Sequence, residues 1–219
     1  MRAPLARLAV VVLVVLVAAG CSGGGGGTTG SGNVQTQDRP VAPFTTIEFS
    51  TPGTVTIEQT GTDSLRVEAD ENIQGLLTTE VQGSTLKLGA QPGAEIGRAT
   101  IDYRITVRQL AGVVLSGAGT VTATGVDGPD LSLANSGAGS ITASGRTDQL
   151  NVDLVGVGAI DTRGLVAQAA DVSVGGAGTA TVNAARTLDA RITGVGSIVY
   201  LGDPAVTQNV SGFGTVSRG

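Results

Sequence analysis

Residues Leu131 to Gly145 read L-S-L-A-N-S-G-A-G-S-I-T-A-S-G, two short alternating segments joined by a Gly-x-Gly corner. The corner returns at Gly117, Gly137, Gly156, Gly176, Gly194 and Gly212, in steps of 20, 19, 20, 18 and 18 residues. Self-similarity at such a period marks a stacked repeat, in which each unit buries its apolar face only against its neighbours.

Aligned on the first corner glycine, the apolar residues fall into columns. Two before it stand Leu115, Asn135, Leu154, Val174, Ile192 and Val210; four before it, Val113, Leu133, Val152, Val172 and Ala190. Four after it come Val121, Ile141, Ile160, Ala180, Ile198 and Val216. Outer columns, six before and six after, hold Leu131, Leu150, Ala170, Leu188 and Val206, and Ala123, Ala143, Thr162, Val182 and Tyr200. The period within each segment is two, as a strand with one buried face requires; helical spacing of three and four is missing. The pattern predicts an all-β fold, a parallel (right-handed) β-helix or β-solenoid with coils of about 18–20 residues. Corner glycines fit places where φ is positive or where a Cβ has no room. Asn135, inside an apolar column, reads as a buried side chain satisfied by neighbouring backbone.

The chain opens with Arg2 and Arg7, an apolar run from Leu8 to Ala18, and A-A-G-C at Ala18 to Cys21. This order is that of an export signal, and Ala-Ala-Gly before cysteine resembles the bacterial lipobox; an uncleaved anchor is the alternative. Cleavage would make residues 1–20 a lipoprotein signal peptide and Cys21, the chain's one cysteine, the lipidated (palmitate-bearing) N-terminus and membrane anchor. No internal disulfide can form from one cysteine. The remaining chain has 11 basic and 18 acidic residues, a formal charge of −7, which argues against nucleic acid as partner. Residues 22–40 are Gly/Ser-rich, so 21–40 reads as lipidated cysteine plus flexible tether, reaching about 25 Å. Residues 41–219 read as the β-helical domain.

From Val41 to Leu110 strands are expected around Phe44–Phe49, Val55–Ile57, Leu65–Val67, Leu77–Val81, Leu86–Leu88 and Ile101–Val107. T-P-G-T-V-T-I at Thr51–Ile57 is a degenerate corner, with Gly53 in the second-glycine place, and an irregular turn is expected around Asn72–Leu76. P-F-T-T-I-E-F (Pro43–Phe49), G-T-V-T-I (Gly53–Ile57), L-R-V-E-A-D-E-N-I (Leu65–Ile73), L-K-L (Leu86–Leu88) and the S-G-A-G corners together resemble the putative auto-transporter adhesin, head GIN domain family, over residues 41–219. The resemblance implies an exported, often lipid-anchored β-helical protein of the cell envelope and carries over no catalytic residue.

The chain has no histidine or tryptophan, and Cys21 is assigned to lipid, which leaves no Ser-His-Asp or Cys-His catalysis and no His-ligated zinc. G-G-A-G-T-A at Gly175–Ala180 comes near a calcium-binding β-roll repeat, but Ala180 stands where the aspartate ligand belongs. No metal or cofactor is implied. Two function classes follow. One is a non-catalytic, lipid-tethered adhesion, binding or structural module. The other is a carbohydrate-active lyase or hydrolase using an exposed patch of Asp153, Asp171 and Asp189, with Asp171 and Asp189 about 4.8 Å apart across coils.

Positions three and five after each corner glycine must point outward, and nine of the twelve are Thr or Ser, including Thr120, Thr122, Ser140, Thr142, Thr179, Thr181 and Ser197. Stacked over six coils they form a hydroxyl ladder about 29 Å long. It suits an extended envelope polysaccharide or peptidoglycan, with ice below these, while Thr is also what an exposed strand commonly uses. Gln208 and Arg218 enter the interior columns in the last coil; they read as polar residues closing an end, or as part of a dimer interface, and the oligomeric state stays open.

Overall fold

The structure, a computed structural model, describes residues 27–219. Its elements in chain order are β1 (Val34–Arg39), β2 (Thr46–Phe49), β3 (Gly53–Gln59), β4 (Ser64–Asp70), the single helical turn α1 (Glu71–Gln74), β5 (Leu77–Gln82), β6 (Thr85–Ala90) and β7 (Ile101–Val107). They continue with β8 (Gly112–Leu115), β9 (Ala118–Asn135), β10 (Ala138–Leu154), β11 (Val157–Val174), β12 (Ala177–Ile192), β13 (Val195–Leu201), β14 (Ala205–Val210) and β15 (Phe213–Arg218).

Strands β9 to β12 are 16 to 18 residues long. Straight, each would span about 55 Å; instead each bends through most of one coil and pairs in parallel with the next. Gly119, Gly139, Gly158, Gly178, Gly196 and Gly214 lie level with one another up the stack. The parallel β-solenoid read from the corner spacing is therefore the fold. Gly53 pairs with Gly119, Val55 with Val121 and Ile57 with Ala123, so the degenerate corner belongs to the same stack.

One long face contains β3, β7, the first halves of β9 to β12, then β13 and β15. The other contains β2, β6, β8, the second halves of β9 to β12, and β14. A short third side, invisible in the column alignment, runs through the paired levels Val126, Gly145 and Leu165, and Gly128, Thr147, Ala167 and Ala184. Register shifts between Ala143 and Gly145 and between Thr162 and Val166 sit there. These shifts absorb the variation in coil length, which is why residue spacing hid the side although Val126, Leu165, Ala167 and Ala184 are buried.

The aligned columns are the core: Leu115, Leu133, Leu154, Val174, Ile141, Ile160 and Ile198 are all buried. Asn135 is buried too, its Nδ2 donating to the Gly139 carbonyl at 3.1 Å and its Oδ1 accepting from the Gly137 amide at 3.1 Å. Of the two reasons for a corner glycine, crowding prevails at the first position. At Gly137, Gly156, Gly176, Gly194 and Gly212 φ is not in the left-handed region, and a Cβ would run into the carbonyl oxygen of the corner glycine one coil below.

The flexible tether expected over residues 21–40 is corrected for its described part. β1 pairs antiparallel with β4 from Val34–Asp70 to Arg39–Leu65. Ahead of it, the Gly32 amide donates to the buried Asp70 carboxylate at 2.8 Å, and the Ser31 amide to Asn72 Oδ1 at 2.9 Å. Arg39 donates to the carbonyls of Leu77 and Gln74, both at 3.0 Å. Backbone hydrogen bonds, not apolar burial, hold this segment, and a strand with one exposed Val34 has no hydrophobic period to betray it. Cys21 and residues 1–20 lie outside the described residues.

The two ends differ. At the N-terminal end β4 on one face and β5 on the other run antiparallel to the stack, β1 pairs with the outer side of β4 and so returns to the direction of the stack, and α1 tucks Ile73 into the core. At the C-terminal end β14 and β15 add parallel strands and stop. Gln208 and Arg218, level with Ala190 and Tyr200, are exposed rather than folded over the interior. Their polarity suits that exposure.

Candidate functional site

The outward Thr/Ser columns form in register. Thr54, Thr120, Ser140, Ala159, Thr179, Ser197 and Thr215 are successive partners, and beside them run Thr56, Thr122, Thr142, Asp161, Thr181, Val199 and Ser217. The ladder thus extends one coil further toward the N-terminus than the corner spacing implied. Thr120, Thr142 and Thr179 are exposed; Thr122, Ser140 and Ser197 are half-buried. Thr181 is corrected: it is 8% exposed and cannot offer its hydroxyl freely. Asp161 and Val199 flank it, and the Asp161 carboxylate is bound to Arg163 at 2.9 Å.

The acidic residues lie on the other long face. Asp171 and Asp189 are direct cross-coil partners, as the spacing required, with Asn151 next in the same column. Asp153 stands in the adjacent outward column, level with Ser173 and Arg191. Together they line a shallow groove of about 350 Å³. Gln149 Nε2 donates to Asp171 Oδ2 at 2.8 Å, so one of the two neighbouring carboxylates is already engaged. Among the described residues no group of three or more His, Cys, Asp or Glu side chains could hold a metal ion.

A third surface is carried by the residue between the two corner glycines, a position outside the aligned apolar columns. That residue is Ala118, Ala138, Val157, Ala177, Val195 and Phe213 up the stack, every one exposed, with Val157 at 61%, Val195 at 59% and Phe213 at 83%. The middle letter of Gly-x-Gly was the signal that could have found it. A further groove, beside the third side, holds Asp127 and Arg146, paired at 2.7 Å. The Arg146 guanidinium hydrogen-bonds the Asp127 carboxyl and holds it below its ordinary pKa.

A parallel β-solenoid presenting long, level columns of side chains is a scaffold for contact along a surface; its grooves are shallow and its polar groups repeat rather than converge. The chain belongs to the family described as "Putative auto-transporter adhesin, head GIN domain", whose pattern matches residues 43–204. Solved structures agree. It is similar to a "putative adhesin" from Bacteroides fragilis at a TM-score of 0.71 and 26% identity, covering 88% of this chain and 100% of that one. A "putative lipid binding protein" from Parabacteroides distasonis matches at TM-score 0.54 and 23% identity, over 88% and 99%. No curated protein matches the chain.

Proposed function

We propose that this protein is a non-catalytic adhesion module, held at the cell envelope by lipid on Cys21, that binds an extended envelope polysaccharide or peptidoglycan through its Thr/Ser face. Membership of an adhesin family supports the class of activity. The observation that carries the choice of face is the level column Thr54, Thr120, Ser140, Thr179, Ser197 and Thr215, broken only by Ala159. It repeats donors and acceptors at the coil spacing of about 4.8 Å with little charge, a lattice that an extended sugar chain can follow over many residues.

Residues 27–219 contain every strand pairing described above and suit the binding assay. Retention on purified peptidoglycan and envelope polysaccharide should fall at least about tenfold when Thr120, Thr142 and Thr179 are all replaced by lysine, with the circular dichroism unchanged. Equal retention by the folded triple variant would remove this face from consideration. Incorporation of a labelled palmitate into the full chain, lost in Cys21→Ser, tests the anchor. Turnover of the retained polymer that disappears in Asp171→Asn and Asp189→Asn would replace binding with catalysis.

A further inference from the structure

We propose that the corner ridge between the two long faces is a membrane-contact edge: the domain lies along a neutral bilayer surface and sinks Val155, Val157, Val195 and Phe213 into it. The inference takes nearness to the bilayer from the membrane attachment in the reading above, and nothing from the choice of the Thr/Ser face.

Exposed apolar side chains concentrate on this line. Val155, Val157 and Val195 are 57%, 61% and 59% exposed although each has a coil on both sides, so no end of the stack accounts for them. Phe213 continues the line. Charge is missing from it. The six corners from Ser116–Gly119 to Ser211–Gly214 contain no charged residue, and the outward positions beside them on either face carry only Asp153 and Arg191, of opposite sign. In an acidic domain, such a strip matches a zwitterionic interface and not an anionic one. Shape selects lipid among apolar partners. A corner is convex, so it gives a small ligand no enclosure and a folded partner little area, whereas a bilayer closes around a protruding edge.

The entry of the chain points to the same edge. Residues 91–100 join β6 on one face to β7 on the other and so form a corner of the stack; Ile101 lies level with Gly53, and Gly53 with Gly119. The first described residues are bonded to that corner. The Thr28 amide donates to the Glu95 carbonyl at 2.7 Å, the Gly30 amide to the Arg98 carbonyl at 2.8 Å, and the Gly97 amide to the Thr28 carbonyl at 3.1 Å. Cys21 precedes Gly27 by six residues, at most about 20 Å of chain. Lipid on Cys21, or an uncleaved anchor at Leu8 to Ala18, brings the bilayer to the foot of the ridge. From Ile101 to Gly214 the paired levels climb seven coil steps, about 34 Å. With the attachment at one end of this line and the exposed valines toward the other, the domain lies flat on its corner. Both long faces then rise from the bilayer, and the Thr/Ser face stays open.

The chain has no tryptophan and one cysteine, which supply the assay. Residues 21–219 carrying Val195→Trp are coupled through Cys21 to a maleimide lipid in phosphatidylcholine vesicles. Emission should be blue-shifted, and quenched at least about twofold when the vesicle lipid is brominated in its upper acyl chain. Val157→Trp should behave alike, and Val166→Trp, exposed on the third side, should stay unquenched. Adding Val155→Asp and Val157→Asp to Val195→Trp should abolish most of the quenching with the circular dichroism unchanged. The proposal is overturned if neither ridge variant is quenched, or if Val166→Trp is quenched equally. A blue shift already present without vesicles also overturns it, since a second copy or residues 21–26 would then cover the ridge. Because the coupling is chemical, a cell that adds no palmitate, or equal polysaccharide retention after lysine replaces Thr120, Thr142 and Thr179, defeats the earlier reading and leaves this result standing.

Discussion

Replacing Gly139 with alanine should be far more damaging than replacing Gly128, although both glycines lie in β10 or its neighbour β9. A Cβ at Gly139 would run into the Gly119 carbonyl oxygen and lie only 3.0 Å from the Gly119 amide nitrogen and carbonyl carbon. Those atoms are backbone held in the ladder and cannot swing aside. Relief requires the two coils to part by about an ångström, which stretches bonds of ordinary length beyond hydrogen-bonding range. The bonds at stake include Ala138 to Gly117 at 2.9 Å and Gly137 to Leu115 at 3.1 Å. Two lost bonds and the overpacking together amount to about 3 kcal/mol. At Gly128 the nearest atom to a Cβ is Gln109 Nε2 at 3.8 Å, an ordinary contact, and φ is not left-handed. Gly128→Ala should therefore stabilise by about 0.4–1 kcal/mol, through the unfolded chain. Urea unfolding of residues 27–219, followed by circular dichroism, measures the gap. A difference under about 1 kcal/mol between the two variants would refute the claim that close coil approach selects the corner glycines.

Arg39→Ala should loosen β1, because the guanidinium anchors it to Gln74 and Leu77; a loss of about 1.5 kcal/mol and faster amide exchange in Val34–Arg39 are expected, and unchanged exchange would mean that the β4 ladder suffices. Tyr103→Phe should be neutral or stabilise by up to about 1 kcal/mol, since among the described residues the buried phenol has no hydrogen-bond partner, and burial pushes its pKa up; a clear loss in thermal melting would show that the hydroxyl is bonded, with Thr51 the neighbouring hydroxyl. The Asp127–Arg146 pair contributes above the ordinary carboxylate pKa of 3.8, and that contribution should fade as pH falls through the lowered value of the folded state. Both side chains are exposed, so salt should weaken it; the Arg146→Ala and parent pH–stability profiles should converge at acid pH and at high salt, and a difference that persists in acid would assign the effect to packing.

What the sequence determined by itself was whatever recurs in it. A solenoid repeats one local environment, so Leu133, Leu154 and Val174 declare the same buried column, and the Gly-x-Gly corner marks where successive coils come too close for a Cβ. Even Asn135 was legible, since a polar side chain in an apolar column has to find backbone partners. The outward Thr/Ser columns followed from the period of two, although the burial of Thr181 did not, because it depends on its cross-coil neighbours Asp161 and Val199, which break the run of Thr and Ser. Tertiary structure alone decided what does not repeat. The third side varies in length and register from coil to coil, so its burial of Val126 and Leu165 has no fixed spacing to reveal it. β1 is held by ladder bonds and by Arg39, interactions that any residue's backbone can make and that composition does not record. The reversed strands β4 and β5 and the turn α1 at the N-terminal end likewise depend on how the chain enters the stack, a property of the assembled fold and of no single repeat.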